Sequence, residues 1–415
     1  MLRSSIAAMV GAPLLVSGCA SIPTARAAPD AAPAPAPVMR ADLHLHISME
    51  RAARPVFRGR SGDGWIAATP ETILTNQVDA ALLQHAGVRL VFGAVWPPFR
   101  IRPGRDARDE ALEQLRLLRA FVGSTPGFAI AEDAAQARAL AAHGYVAVIP
   151  AVEGGEGIGS VEDVDLYFAR GARVITLAHF VSNDLAGAAG EQLARAIGLE
   201  AKALNDEGLT PLGRAVVKRM MELGMVIDLA HASDRTVRDV LALTEPAGVP
   251  VVVCHTGSRA LVNTERNISD ELALRVAKSG GLIGVSIYAG LVSPVPQSAQ
   301  LAHHVPGTCD DAIAHWRHLA GVVGAEHLVL GSDFNGMAAR NAAGGSCPEG
   351  LRHVGDLAGY FAALEAQGIP ASAIDGAGGK LLELLERVEE KASPTARAEA
   401  KRAKVPTVHL LVSPL

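Results

Sequence analysis

Two histidines set one residue apart are the first feature of this sequence that suggests chemistry. The 415-residue chain contains 14 histidines but only 4 cysteines, so imidazole and carboxylate rather than thiolate would hold a bound metal. His44 and His46 are separated by a single leucine. Residues two apart on a β-strand point the same way, so this pair can supply two neighbouring ligands to one ion.

Other polar residues follow apolar runs in the same manner. A carboxylate can bridge two cations with its two oxygens, and neutral imidazole is a common zinc ligand. Glycines at 154, 155 and 157 would let the backbone approach such ions closely. The alternative, that each histidine is an ordinary hydrogen-bonded core residue, requires several independent coincidences. We therefore predict a binuclear metal site formed by His44, His46, Glu153, His231 and His255, with His179, Tyr288 and Asp333 after other runs and Arg266 in the loop beyond His255.

The elements that must position these residues are short apolar runs alternating with helical patterns between residues 39 and 390. This alternation is typical of βαβ units, and runs rich in Val, Ile and Leu are typical of parallel strands covered on both faces. The pattern predicts an α/β fold, a single (β/α)8 TIM-type barrel, with its chemistry at the carboxyl ends of the strands. A doubly wound open sheet is the alternative, although no Gly-rich phosphate loop follows the first run. The predicted strands are Met39–His46, Val88–Val95, Tyr145–Val152, Arg173–Ala178, Met225–Ala230, Val249–Cys254, Leu282–Ile287 and His327–Leu330.

Composition and charge exclude several classes of protein. The chain has 38 Lys plus Arg against 43 Asp plus Glu, for a formal net charge of −5. A nucleic-acid partner would need a dense basic face, so we expect none. The 49% share of apolar residues is too high for a disordered chain.

The N-terminus has the features of an export signal. Arg3 precedes the apolar stretch Ile6–Val16, which is shorter than the roughly 20 residues of a membrane-spanning helix. The stretch ends in Leu-Val-Ser-Gly-Cys, which is similar to a bacterial lipobox. We predict a lipoprotein-type signal over residues 1–19, with Cys19 lipidated, and a protein exported to the cell envelope or periplasm and anchored to a bacterial membrane. Ordinary secretory cleavage near Ala25–Ala27 is the alternative.

Two further segments flank the predicted barrel at 39–390. Residues 20–38 are rich in Ala and Pro and are predicted to form a semi-rigid linker. Residues 391–415 mix Ala, Lys, Arg and Pro before the small apolar cluster Val408–Val412. We expect this C-terminal tail to dock on the barrel and assign it no role.

Three cysteines remain after the proposed lipidation site. Cys254 lies in an apolar run and is predicted to be a buried thiol. Cys309 and Cys347 lie in loop-like segments containing Gly and Pro, and in an exported protein we expect them to pair as a disulfide. The sequence does not establish that their Cα atoms are close enough for that bond.

Six segments, taken in order, resemble the membrane (renal) dipeptidase family of the amidohydrolase superfamily. The resemblance spans roughly residues 40–387 and implies a zinc-dependent dipeptidase. It implies that Glu153 bridges two zinc ions, that His231 and His255 complete one site, and that the His44/His46 pair holds the other. The segments are Val152–Gly155, Thr176–His179, Gly208–Gly213, Ile227–His231, Cys254–Thr256 with Arg266–Asn267, and Gly331–Gly336.

The same resemblance implies roles around a small dipeptide-like substrate. His179 would polarise the scissile carbonyl, Arg266 would grip the terminal carboxylate with its planar guanidinium, and Tyr288 would line the pocket. Two cations lower the pKa of a bridging water. Asp333 would take the proton of that water and deliver it to the leaving amine. We find no Ser or Cys nucleophile motif, so no covalent intermediate is expected.

Two residues depart from the family pattern. The family usually has His-x-Asp where this chain has His44-Leu45-His46, which removes one negative charge and one oxygen ligand. Asn335 stands where a second aspartate is usual. Whether one or two divalent cations bind therefore stays open. Hydrolysis of N-acyl amino acids or other small amides or lactones is the alternative activity. A third hypothesis is a non-catalytic lipoprotein that binds peptides or metal in the cell envelope. If the chain forms an oligomer, a homodimer is the assembly that we consider.

Overall fold

The structure is a computed structural model that describes residues 38–49, 77–97, 106–189, 208–295, 308–336, 351 and 353–403. The predicted signal segment, most of the linker, Cys19 and Cys347 lie outside these residues, so lipidation and the disulfide remain predictions. Cys309 is described and is the buried first residue of a helix, not part of a loop as the sequence suggested.

Eight parallel strands close into a barrel, which confirms the predicted (β/α)8 fold. Around the barrel, neighbouring strands follow the order β2-β1-β9-β8-β7-β6-β5-β4, and pairing of β2 with β4 closes the barrel. The strands are β1 Arg40–Leu45, β2 Val88–Val95, β3 Phe128–Ile130, β4 Val146–Glu153, β5 Val174–Thr176, β6 Val226–Asp228, β7 Val252–Thr256, β8 Leu282–Ser286 and β9 Leu328–Gly331.

The ninth strand, β3, was not predicted. It has only three residues, of which only Phe128 is buried, so the sequence carries no extended apolar run there. Parallel to β4, it pairs with residues 146–148, while β5 pairs with residues 151–153 on the same side. Since β3 covers only the first half of that side, the site-bearing end of β4 is paired with β5.

Helices follow the strands and cover the outside of the barrel. In the helix before β6, Thr210 accepts a hydrogen bond from the Gly213 N–H, and Pro211 occupies the first helical position. No helix of the described segments is long and apolar enough to cross a bilayer. The helices are α1 Ala80–His85, α2 Ala107–Ser124, α3 Ala134–Ala142, α4 Val161–Ala169, α5 Pro211–Leu223, α6 Asp234–Ala247, α7 Asp270–Lys278, α8 Ala289–Val292, α9 Cys309–Val323, α10 Leu357–Ala366, α11 Ala371–Asp375, α12 Ala377–Glu390 and α13 Pro394–Ala400.

The last helix, α13, lies in the C-terminal segment 391–415 and packs against the barrel helices. The Ser393 N–H that precedes it donates to the Glu222 carbonyl oxygen at 2.8 Å. Ala396 and Ala400 are buried, and the Arg397 guanidinium lies over the Phe168 ring. The part of the C-terminal segment that ends at residue 403 is therefore docked on the barrel, and residues 404–415 lie outside the described structure.

Irregular strand pairing at two places aims side chains into the barrel mouth. The register shifts between Asp42 and Leu45 on β1 and between Val253 and Thr256 on β7. Such irregularities change the direction in which a side chain points. The irregular part of β7 packs closely against one glycine of β8 and one glycine of β9. A Cβ added to Gly284 or Gly331 would collide with the Cys254 carbonyl oxygen. The two shifts contain three residues of the site described next.

Candidate metal centre

The His44 and His46 side chains lie together at the carboxyl end of β1, in the mouth of the barrel. Their Nε2 atoms are 3.1 Å apart, and both residues are 2% exposed. The predicted alternation of the strand therefore brings both rings to one point. The Asp333 carboxylate, just after β9, lies beside them, with Oδ1 at 3.3 Å from His46 Nε2 and 3.7 Å from His44 Nε2.

The Glu153 carboxylate lies at the centre of the cluster, at the end of β4. Its Oε1 is 3.4 Å from His44 Nε2, and its Oε2 is 3.3 Å from His46 Nε2. The same Oε1 is 3.3 Å from His231 Nε2 and 3.7 Å from His255 Nε2. Glu153 thus lies between two histidine pairs, which is the position that a bridging ligand requires.

Three non-glycine residues of the described chain have a positive φ angle, and all three lie at this mouth. They are His231, Asp333 and Asn335, at 63°, 59° and 63°. Such backbone is costly for a residue with a side chain and persists where the surroundings enforce it. A hydrogen bond of 2.9 Å from the Asp333 N–H to the His44 carbonyl oxygen is one such constraint.

The Asn335 side-chain amide connects the end of β1 to Gln77. Its Nδ2 donates to the His46 carbonyl oxygen at 3.1 Å, and its Oδ1 accepts from the Gln77 N–H at 2.8 Å. The Gln77 Oε1 accepts from the Asn335 N–H in return. An aspartate could not donate to the His46 carbonyl, so this amide holds the strand end where a carboxylate would not.

The charges divide the cluster into two unlike halves. Burial would lower the pKa of His46, but Asp333 and Glu153 outweigh it and raise that pKa to about 9. Burial lowers the pKa of His231 and His255, and the nearby Arg266 guanidinium lowers both further. Burial would also raise the pKa of Glu153, yet His44 and His179 hold it well below its usual range. The Asp333 carboxylate thus lies beside the His44/His46 half, and the Arg266 guanidinium lies beside the His231/His255 half.

Cys254, beneath the cluster, contacts one histidine of each pair. Its Sγ is 3.2 Å from His44 Nδ1 and 3.0 Å from His255 Nδ1. The thiol donates its own proton to Asp228 Oδ2 at 2.7 Å, which leaves the sulfur as an acceptor for both rings. Each ring then carries its proton on Nδ1 and presents the Nε2 lone pair to the cluster, as a metal ligand must.

Two buried aspartates hold the irregular strand ends in place. Asp42 Oδ1 accepts the N–H groups of His44 and Ser332, both at 3.0 Å. Asp228 Oδ1 accepts those of Ala230 at 3.0 Å and Cys254 at 2.8 Å. In both cases a side-chain oxygen takes up backbone donors where strand pairing is irregular or has ended.

The Arg266 guanidinium lies against the second histidine pair. Its Nε is 3.0 Å from His231 Nδ1 and its Nη2 is 2.8 Å from His255 Nε2. Arginine only donates hydrogen bonds, so in this arrangement the neutral His231 ring carries its proton on Nε2. Ligation of a cation by His231 Nε2 would therefore require Arg266 to give up this contact, which would free the guanidinium for a carboxylate.

The remaining predicted residues lie at the same end of the barrel. His179, after β5, has its Nε2 at 3.4 Å from Glu153 Oε1, and burial lowers its pKa. Tyr288 is half-buried just after β8, where it caps α8. Its predicted contact with substrate remains a prediction.

The donor set fits divalent cations. Ligand atoms of His44, His46 and Asp333 lie within 4.8 Å of one another, and so do those of Glu153, His179 and His231. Imidazole nitrogen and carboxylate oxygen are ligands that zinc accepts. The cluster therefore has the ligand types and the spacing of a metal centre.

Four site residues were not assigned from the sequence: Trp96, Asp42, Asp228, and Cys254 beyond its burial. A signal was present for two of them, because an aspartate precedes His44 by two residues and His231 by three. A polar residue inside a strand that is otherwise apolar needs a partner. Trp96 stands at the end of β2, the one predicted strand to whose end no site residue was assigned.

Comparison with known proteins agrees with this geometry. The sequence profile of the membrane dipeptidase family (peptidase family M19) matches residues 40–399. An uncharacterised dipeptidase of Schizosaccharomyces pombe is 29% identical over 234 residues, which cover 56% of this chain and 50% of that protein. The chain spans about half the length of the curated relatives it matches.

Two solved structures share the barrel fold. The probable dipeptidase PvdM from Pseudomonas aeruginosa is 21% identical, with 86% of this chain and 96% of that one covered and a TM-score of 0.66. A metallopeptidase from Rhodobacter sphaeroides, liganded with a phosphinate mimic of the dipeptide L-Ala-D-Ala, is 21% identical, with 85% and 99% covered and a TM-score of 0.65. The fold is thus that of known metallopeptidases.

The Cys254 contacts lead to a prediction about metal affinity. We expect Cys254→Ala to weaken zinc binding by about 10- to 100-fold, because losing the partner that orients a ligand typically has that effect. Competition with a fluorescent chelator measures the dissociation constant. Val252→Ala, on the same buried strand, controls for lost packing and should bind zinc as the wild type does. Equal affinity in wild type and Cys254→Ala would contradict the orienting role.

Proposed function

Because the chain belongs to the membrane dipeptidase family, we propose that it is a metal-dependent dipeptidase, which hydrolyses the peptide bond of small dipeptides. One observation carries the proposal: the Glu153 carboxylate lies between the His44/His46 and His231/His255 pairs, within 3.7 Å of all four Nε2 atoms. The dipeptide mimic bound to the Rhodobacter sphaeroides metallopeptidase supports the substrate class.

The cofactors proposed are two divalent cations, both zinc. His44 and His46 would hold one, with the Asp333 carboxylate beside it, His231 and His255 would hold the other, and Glu153 would hold both. When bound, they supply Lewis-acid activation of water and of the scissile carbonyl. The carboxylates favour the first position. The second depends on displacement of the Arg266 guanidinium from His231 and His255, which lie 3.0 Å and 2.8 Å from it.

The residues of the chain then divide the remaining work. The Asp333 carboxylate faces the cluster and accepts a proton from the attacking water, then returns it to the leaving amine. His179 Nε2 points at the same centre and donates a hydrogen bond to the oxygen on which negative charge develops. Arg266, freed from the histidines, binds the terminal carboxylate through two parallel N–H donors. This division needs no covalent intermediate.

Turnover of dipeptides tests the proposal. Zinc-loaded protein should hydrolyse members of a panel of L,L- and L,D-dipeptides, and a chelator should abolish the activity. We expect Asp333→Asn to lower kcat by at least about 100-fold, the usual contribution of a general acid–base group, while bound zinc is still detected. Asp310→Asn, an exposed substitution on α9, should leave kcat unchanged. If no dipeptide in the panel is cleaved by zinc-loaded wild type, the dipeptidase proposal fails.

The His44-x-His46 pair favours one second candidate, hydrolysis of N-acyl amino acids or other small amides or lactones. Imidazole in place of the usual aspartate brings the centre closer to the wider amidohydrolase pattern. Comparing rates on dipeptides with free and with acylated amino ends separates the two. Faster cleavage of the acylated series would favour the second candidate, and binding without cleavage of either series would favour a non-catalytic binding protein.

We also propose that the protein is exported and lipid-anchored through Cys19. The support is the short apolar stretch Ile6–Val16 followed by the lipobox-like residues 15–19. In a bacterial host, wild type should partition into the detergent phase of a Triton X-114 extraction, and Cys19→Ser should partition into the aqueous phase. Detergent-phase recovery of both proteins would argue against the anchor, and a mature N-terminus near Ala25–Ala27 would support the secretory alternative.

A further inference from the structure

The indole of Trp96 contacts the His179 ring on the side away from the cluster. Trp96 Nε1 is 3.1 Å from His179 Nδ1, and the two ring centroids are 5.0 Å apart with the planes inclined at 60°. Trp96 comes directly after β2, and His179 follows β5. The contact therefore joins two strand ends that are far apart in the sequence.

The direction of this hydrogen bond is fixed by chemistry. An indole N–H can only donate, so His179 Nδ1 must be the acceptor and must carry a lone pair. A neutral imidazole has one proton on its two nitrogens, which therefore stands on Nε2. His179 Nε2 is the atom that faces Glu153 Oε1 at 3.4 Å. The ring thus presents an N–H, not a lone pair, to the reaction centre.

Trp96 is itself held in place by the buried amide of Gln114 on α2. Gln114 Oε1 accepts from the Trp96 N–H, and Gln114 Nε2 donates to the Trp96 carbonyl oxygen, both at 2.8 Å. Gln114 Nε2 also donates to Glu110 Oε1 at 3.0 Å. The two bonds from the Gln114 amide thus pair the backbone N–H and carbonyl oxygen of Trp96, the residue directly after β2. Gln114 of α2 therefore fixes the backbone position from which the indole reaches His179.

The partner of Nδ1 differs between His179 and the two histidines that contact Cys254. For His44 and His255, the sulfur accepts an Nδ1 proton and leaves Nε2 with its lone pair. For His179, the indole donates to Nδ1 and places the proton on Nε2. A ring protonated on Nε2 cannot ligate a cation through that atom. Among these three rings, the Nδ1 partner therefore determines whether Nε2 carries a lone pair or a proton.

We propose that Trp96 is a positioning residue that fixes the Nε2–H tautomer of His179, so that His179 acts as a hydrogen-bond donor to the substrate carbonyl and not as a metal ligand. The inference rests on the proposed dipeptidase function. The indole donates to His179 Nδ1, and His179 Nε2 is the atom that faces Glu153. In this proposal the indole acts through the imidazole ring, so it acts on the transition state more than on substrate binding.

Nitrogen-15 NMR of zinc-loaded, histidine-labelled wild type tests the tautomer directly. The His179 signal, identified by its loss in His179→Gln, should show an unprotonated Nδ1 and a protonated Nε2. The opposite pattern, or zinc-induced shifts typical of a ligating Nε2, would overturn the proposal. This readout needs no turnover, so its failure is separate from failure of the dipeptidase proposal.

Trp96→Phe keeps an aromatic ring of similar shape and removes the indole donor. We expect kcat to fall about tenfold, the effect of losing one hydrogen bond, with KM changed by less than about threefold. The His179 signals should shift towards a mixture of tautomers. Trp316→Phe is the matched control, because Trp316 is buried on α9 and its Nε1 has no hydrogen-bond partner among the described residues. Unchanged kcat and tautomer in Trp96→Phe, or equal losses in both variants, would refute the role of Trp96.

Discussion

The burial of the Glu153 carboxylate among five imidazole rings is the constraint on which the rest of the site depends. Removing a carboxylate from water costs several kcal/mol unless charges or hydrogen bonds compensate. Here His44, His46, His179, His231 and His255 all bring Nε2 within 3.7 Å of its oxygens. Five strand ends must converge for this to happen. A closed parallel barrel provides that convergence, because the carboxyl ends of all its strands meet at one mouth.

The backbone at the mouth is shaped by the same requirement. His231, Asp333 and Asn335 adopt positive φ angles, and pairing shifts at His44 and at Cys254–His255. Buried Asp42 and Asp228 accept the backbone donors exposed by these irregularities. Local strain and irregular pairing are thus balanced by side-chain oxygens two or three residues away from the histidines. Compensation of this kind is characteristic of functional sites.

The hydrogen-bond partner of Nδ1 determines whether Nε2 of the same neutral imidazole carries a proton or a lone pair. Imidazoles of similar burial have different Nδ1 partners: a sulfur acceptor for His44 and His255, and an indole donor for His179. The guanidinium of Arg266 gives His231 the donor form in the absence of a cation. In the proposed enzyme, metal loading and release of the Arg266 guanidinium would therefore be linked.

Much of the fold and of the cluster could be predicted from the sequence, because both follow from short-range periodicity. Apolar runs located eight barrel strands, and polar residues after those runs located the histidines, Glu153 and Asp333. β3 was missed because three residues carry no period, and α13 because its few apolar positions are alanines. Trp96 and His179 are 83 residues apart, and Cys254 and His44 are 210 apart. Such pairings are set by the closed barrel and leave no local pattern.

The most direct test of the bridging role of Glu153 is anomalous diffraction at the zinc edge from crystals of zinc-loaded protein. Two peaks should appear, both in contact with the Glu153 carboxylate, one beside His44, His46 and Asp333 and the other beside His231 and His255. The Arg266 guanidinium should have left His231. Peaks that do not touch Glu153, or a zinc ion ligated by His179, would contradict the arrangement derived from the geometry.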